Sequence, residues 1–143
     1  MFYGEFEHTI DDKGRMTIPA RFRAGMAEGV VISKGIEPCL WLYPKDVWDS
    51  LAAQISALPR TKPEAREFRR QVFASMSEDL PDKLGRVRLP EYLLTYANLD
   101  KQAIVIGQFD YCEIWNPEQW RQRQESSYND PEGRASMFAS LGI

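Results

Sequence analysis

Asp11-Asp12-Lys13-Gly14-Arg15-Met16-Thr17-Ile18-Pro19 reads as a tight turn, a short strand and a proline, and the chain contains it twice. The second copy, Asp82-Lys83-Leu84-Gly85-Arg86-Val87-Arg88-Leu89-Pro90, lies at an offset of 71. It keeps the Asp, the Gly directly before the Arg, the apolar-x-apolar run and the closing Pro. Further along, Val30-Val31-Ile32 matches Ala103-Ile104-Val105 at an offset of 73, and in that register Cys39 meets Cys112 and Pro44 meets Pro117. Two inserted residues account for the change of offset. One DxxxR carries no signal. Its recurrence within the same order of strand, Pro-led helix, strand pair and Pro-led helix marks two structural halves of about fifty residues.

Working outward, Phe6, His8 and Ile10 alternate with Glu5, Glu7 and Thr9, the pattern of a half-exposed strand. Asp-Asp-Lys-Gly is turn chemistry: Asp bonds the local backbone and Gly tolerates positive φ. Arg15 to Ile18 returns as a strand, and Pro19 suits the first turn of a helix to about Met26. Val30–Lys34 and Cys39–Tyr43 are β-rich runs joined by a turn. Pro44 opens a helix whose Val47, Trp48, Leu51, Ile55 and Leu58 share a face. The second half repeats this order, with a weak leading strand around Ser77–Pro81 and a last helix from Pro117 to about Tyr128. Between the halves, Glu64–Met76 forms a bridging helix. The expected division is 5–47 and 76–119 for the repeats, 48–75 for the connecting helices and 120–143 for the final helix and tail. From Asn129 onward, Pro131, Gly133 and Gly142 predict loose order unless a neighbouring chain holds the tail.

A chain of 143 residues suggests one domain, and four Trp, six Tyr and seven Phe are enough to fill its core. Halves of fifty residues bury too little surface alone, so the two are expected to pack around a pseudo-twofold axis. No long apolar run is present, which speaks against a membrane span. The opening MFYGEFEHTI carries acids and lacks an apolar signal core, so export is not expected. Cys39 and Cys112 are then read as reduced, buried residues. His8 is the sole histidine, which leaves no His/Cys set at zinc-ligand spacing. There is no glycine-rich nucleotide motif either. The acid pairs Asp11-Asp12 and Glu78-Asp79 sit at turns with no nucleophile beside them, so neither an enzyme, a cofactor nor a small-molecule substrate is expected.

Lys and Arg number 18 against 21 Asp and Glu, a net charge of −3 that argues mildly against a general nucleic-acid coat. The charge is segregated, however. Residues 11–23 hold four bases and two acids, residues 60–70 five and two, and residues 82–88 three and one. These stretches carry +7 together, which leaves −10 for the remainder.

The repeated DxxxR turn, the opening MFYGEFEHTIDDKGR and the CLWLYP segment resemble the MraZ proteins over residues 1 to about 124. These are bacterial regulators with two SpoVT/AbrB-like half-domains. The resemblance implies an α+β fold with a double-split, swapped-hairpin β-barrel and outer helices. It implies a homo-oligomer closed into a ring, located in the cytoplasm on the nucleoid. It also implies binding of double-stranded DNA at tandem G-rich promoter boxes ahead of division and cell-wall genes. The DNA-facing elements it implies are the two turns. Arg15 and Arg86 would read or grip DNA, with Lys13 and Lys83 beside them, while Asp11, Asp82, Gly14 and Gly85 brace the turns.

Those roles suit the chemistry. Arg offers a planar fork to phosphate or to O6 and N7 of guanine. An Asp facing phosphate is uncomfortable, so it is expected to orient the Arg instead. Lys13 directly precedes Gly14, whereas Lys83 stands two residues before Gly85, so the two turns need not grip alike. Arg21, Arg23 and Arg88 could position the protein on phosphates, but the favoured expectation is surface charge, and for Arg60, Lys62, Arg66, Arg69 and Arg70 a solvated or subunit-contact face. Trp48, Trp120 and Phe73 admit two readings, core or subunit interface. A protein-binding, antitoxin-like module is the alternative class, and two halves with a short tail speak against it.

Overall fold

A computed structural model describes residues 1–142. Among them the chain is α+β, and every strand pair is antiparallel. The first half runs β1 (Glu5–Thr9), β2 (Arg15–Thr17), α1 (Arg23–Met26), β3 (Val30–Lys34), β4 (Leu40–Pro44) and α2 (Lys45–Ser56). The bridging helix is α3 (Pro63–Ser75). The second half runs β5 (Ser77–Asp79), β6 (Arg86–Arg88), α4 (Glu91–Tyr96), β7 (Gln102–Gly107), β8 (Cys112–Trp115) and α5 (Pro117–Tyr128), followed by α6 (Pro131–Ala139).

The strands form one six-stranded sheet in the order β1-β7-β8-β4-β3-β5 and a separate ribbon, β2-β6. The sheet order is unchanged when the halves are exchanged. Phe6 pairs with Val105, and its repeat equivalent Ser77 pairs with Ile32, the equivalent of Val105. Arg15 opposite Arg88 likewise becomes Arg86 opposite Thr17. Each half thus gives its leading strand to the other half's sheet, as the expected pseudo-twofold requires. β5 and β1 remain as the two sheet edges, and the hydrogen bonds of the described strands do not run on into a closed ring.

The uninterrupted apolar runs of β3, β4 and β7 follow from a sheet covered on both faces. Alternate residues of a strand point to opposite sides. Val30, Ile32, Leu40, Leu42, Ala103, Val105 and Ile114 therefore join one core with Met16, Ile18, Phe22, Val87, Leu89 and Leu93 under the ribbon. Val31, Trp41, Tyr43, Ile104, Ile106 and Trp115 join the other with Trp48, Ile55 and Val72 from α2 and α3. Trp48 is therefore a core residue, while Trp120 and Phe73 pack half-buried against the same cluster. Cys39 and Cys112 are buried free thiols. His8 is the half-buried β1 residue expected.

Two elements depart from the sequence reading, and a third is as weak as expected. The segment after Pro19 is a 3-10 turn, Ala20–Phe22, before α1, because Phe22 must drop into the core between two short segments. β5 is only three residues long, consistent with its weak alternation. The tail forms α6 rather than loose chain. Asp130 accepts a hydrogen bond from the Gly133 amide at 3.0 Å, and Pro131 occupies the first turn, which together start a helix. Ile143, the last residue of the expected tail, lies outside the described residues.

Ahead of β1 the chain docks as a strap. Phe2 and Phe109 exchange backbone hydrogen bonds of 2.8 and 2.7 Å, and the Phe2 ring meets Phe22 edge-on at 5.1 Å. The strap crosses Gly107 so closely that a Cβ there would sit 2.4 Å from backbone atoms of Phe2 and Tyr3. Gly107→Ala is expected to lift the strap and lower stability by about 1–3 kcal/mol in urea unfolding, the usual result of overpacking. Unchanged stability would mean that residues 1–4 do not pack there.

Candidate nucleic-acid interface

Both repeated turns are built alike, atom for atom. Asp11 Oδ1 accepts from the amides of Lys13 (3.0 Å) and Arg15 (2.8 Å), and its Oδ2 accepts from Arg15 Nε at 2.7 Å. Asp82 Oδ1 accepts from the amides of Leu84 (2.9 Å) and Arg86 (2.9 Å), and its Oδ2 from Arg86 Nε at 2.7 Å. One carboxylate thus closes the turn and holds the arginine by its Nε, through a charge-assisted bond. The terminal Nη groups of Arg15 and Arg86 take no protein hydrogen bond among the described residues.

The glycines are required by conformation and by space. Gly14 has φ +78° and Gly85 +74°, in the left-handed region that glycine enters without strain. A Cβ on Gly14 would lie 2.8 Å from the Leu89 carbonyl oxygen, and one on Gly85 2.7 Å from Arg23 Cδ. Each turn also ties itself to the other half. The Leu89 amide donates to Gly14 O and the Ile18 amide to Gly85 O, both at 2.8 Å.

The ribbon sets how the two turns face outward. Met16 and Val87 are paired and buried, so they fill its inner face. Arg15, Arg86, Arg88 and Thr17 therefore share the outer face. Because the ribbon is antiparallel, the turns leave it at opposite ends, with Arg15 and Arg86 diagonally related about 8 Å apart by strand geometry. Lys13 and Lys83 are exposed at the two turns. All eight residues expected in the two turns thus lie on or beside one short ribbon.

Two arginines read from sequence as surface charges belong to this surface as well. Arg88 stands directly opposite Arg15, at the first turn's end of the ribbon. Like charges placed so repel. Arg23, from the first half, donates from Nε to Ile18 O at 3.0 Å and packs its stem against Gly85 of the second turn. The alternation Arg86-Val87-Arg88 around one apolar residue was a usable signal for Arg88. Nothing local announced Arg23, whose place depends on pairing between the halves. Arg21 goes elsewhere, over the Tyr3 and Phe6 rings at 5.4 and 5.8 Å. Of the second basic cluster, Arg69 caps α2 by donating to Ile55 O and covers the Phe73 ring, and Arg66 donates to Arg60 O.

Chemically the surface is a rigid two-stranded ribbon with three guanidinium groups on its outer face and a lysine at either end. A two-stranded ribbon is of a size that the B-DNA major groove admits.

A family model described as "MraZ protein, putative antitoxin-like" matches the chain twice in tandem, at residues 1–71 and 72–138. Proteins named "Transcriptional regulator MraZ" are similar along their whole length. That of Herpetosiphon aurantiacus is 47% identical over 143 residues, covering 100% of both chains. That of Thermomicrobium roseum is 49% identical over 141 residues, covering 99% of each. In Roseiflexus castenholzii the identity is 42% over 139 residues, covering 97% of this chain and 94% of the relative.

The turn carboxyls titrate abnormally. The backbone N–H of Arg15 holds Asp11 below the usual aspartate range, the Arg15 side chain and the Lys13 amide add to this, and partial desolvation opposes it. Asp82 is lowered in the same way by Arg86 and Leu84. A depressed carboxylate stabilises the fold above its unfolded pKa of about 3.9, and that contribution is lost as pH falls through the lower folded value. Asn cannot titrate. Asp11→Asn with Asp82→Asn is therefore expected to be less stable than the parent at neutral pH, and to lose less on going from about pH 6 to about pH 3. Parallel curves of Tm against pH would contradict the clamp.

Proposed function

The chain belongs to the MraZ family, and from that premise we propose that it regulates transcription by binding double-stranded DNA through its two clamped turns. The observation that carries this reading is the outer face of the β2–β6 ribbon. There Arg15 and Arg88 stand opposed, and the free ends of Arg15 and Arg86 are held outward by Asp11 and Asp82. The Nη groups left open by this clamp suit an anion, and guanidinium forks at set spacing suit guanine edges or phosphates. Pre-ordering by the carboxylate means little side-chain freedom is lost on binding.

In this reading Arg15 and Arg86 contact bases in short G-rich boxes, while Lys13, Lys83 and Arg88 sit on phosphates and set register. The pairing of strands between halves supports a double-split, swapped-hairpin barrel, with repeats over 5–47 and 76–119. One ribbon spans only a few base pairs, so useful affinity requires several subunits. A closed homo-oligomeric ring that meets tandem boxes at matching spacing would supply it by avidity. The boxes are those ahead of the division and cell-wall gene cluster, which places the protein in the cytoplasm on the nucleoid. The acidic remainder of the surface then discourages contact with other DNA.

Arg15→Ala with Arg86→Ala is expected to abolish the band shift on DNA carrying the tandem boxes, with the oligomer mass unchanged. Full affinity in this double variant would remove both turns from the DNA interface. Affinity for the parent protein should also fall steeply as salt rises.

A further inference from the structure

The two turns match in backbone and differ at their tips. Position for position, Asp12 corresponds to Lys83 and Lys13 to Leu84. The amide at the second of these positions donates to the bracing aspartate in both turns, at 3.0 Å for Lys13 and 2.9 Å for Leu84, so both side chains leave the turn from the same place. One of them is a leucine, and it is 62% exposed. Leu84 joins neither buried cluster. Around it stand Lys83 before it, Arg86 after Gly85 and the Arg23 stem against Gly85, with Asp82 engaged by Arg86 and by the turn amides.

We infer that Leu84 recognises a thymine in the major groove, by apolar contact with its C5-methyl group. The inference rests on the DNA-binding reading above and deepens it. An exposed leucine at a tip that its neighbouring cations carry to DNA gains from any apolar surface it meets there. The major groove offers one such surface on its base edges, the thymine methyl. Arg86 and Lys83 bring the tip against the duplex, and Leu84 converts that approach into a preference for T over C at one position. The first turn cannot do the same, since it presents Asp12 and Lys13 there. Its tip is nearly neutral and offers polar contacts only. The pseudo-twofold therefore positions two readers of different specificity, and the asymmetry orients the protein on its site.

The test uses the full-length protein and the DNA fragment that it footprints. Each thymine of the footprint is replaced singly by uracil, which removes the methyl and nothing else. The parent protein should lose about fourfold in affinity at the contacted thymine, the effect of one buried methyl-sized group. Leu84→Ala should bind the original fragment about fourfold more weakly and be indifferent to uracil at that position, whereas Lys13→Ala should keep the uracil effect. The role is overturned if the parent tolerates uracil everywhere or if Leu84→Ala retains the sensitivity. It is also overturned if Leu84→Ala changes the oligomer mass, which would assign the leucine to a contact between copies. These results differ from failure of the underlying reading, in which no specific footprint forms on any DNA.

Discussion

β1 has one ladder partner, β7, and that partner belongs to the other half of the chain. β5 depends in the same way on β3. Everything else in the molecule follows from this exchange. A half of fifty residues cannot cover both faces of its own strands. By trading leading strands the halves build a single sheet with a core on either side, and they bring β2 against β6, which neither half contains as a pair. The arginine surface is thus a product of the exchange. It forms only where both halves are folded, so its spacing is as rigid as the core beneath Met16 and Val87.

Within that frame the aspartate clamp does two jobs with one carboxylate. It satisfies the amides left open by a tight turn, and it holds an arginine by Nε so that the terminal nitrogens face outward. An unclamped arginine carries about 2 kcal/mol of rotamer entropy to lose on binding, so part of the ordering is complete before any ligand arrives. The cross-half ties extend the same logic. Leu89 bonds to Gly14 and Ile18 to Gly85. Each turn is therefore fastened to the strand end that follows the opposite turn, and neither can shift without disturbing the other.

Much of this is legible in the sequence, because the informative signals are local or repeated. Turn chemistry in Asp-x-x-Gly-Arg, prolines at element starts and the offset of 71 gave the halves and the turn residues. Alternation gave β1, and the Pro117–Tyr128 helix was readable to its ends. What escaped depended on the fold as a whole. Arg23 reaches the second turn only because α1 of one half packs beside the other, and no sequence neighbour records that. The core position of Trp48 required knowing that the sheet is covered twice. By contrast, α6 has a local signal in Asp130-Pro131, an N-cap followed by a first-turn proline, which outweighs the helix-weakening Gly133.

The net charge illustrates how the exchange turns a sequence average into a surface. Over the chain it is −3, a number unfriendly to DNA. Yet Arg15 and Arg88, 73 residues apart, become directly opposed neighbours on the ribbon, and Arg23 packs against Gly85 of the second turn. Each turn is thereby reinforced by a base from the other half, Arg88 at the first and Arg23 at the second. The reinforcement is not identical, since Leu94 occupies against Gly14 the place that Arg23 takes against Gly85. Beneath the first turn lies an apolar side chain and at its tip an Asp-Lys pair; beneath the second lies a cation and at its tip Lys-Leu. The two turns share the same hydrogen bonds and differ in the side chains at their tips and just under the glycine. That is the pattern expected when geometry must be preserved for two turns to share one ribbon, while what each turn touches is free to differ.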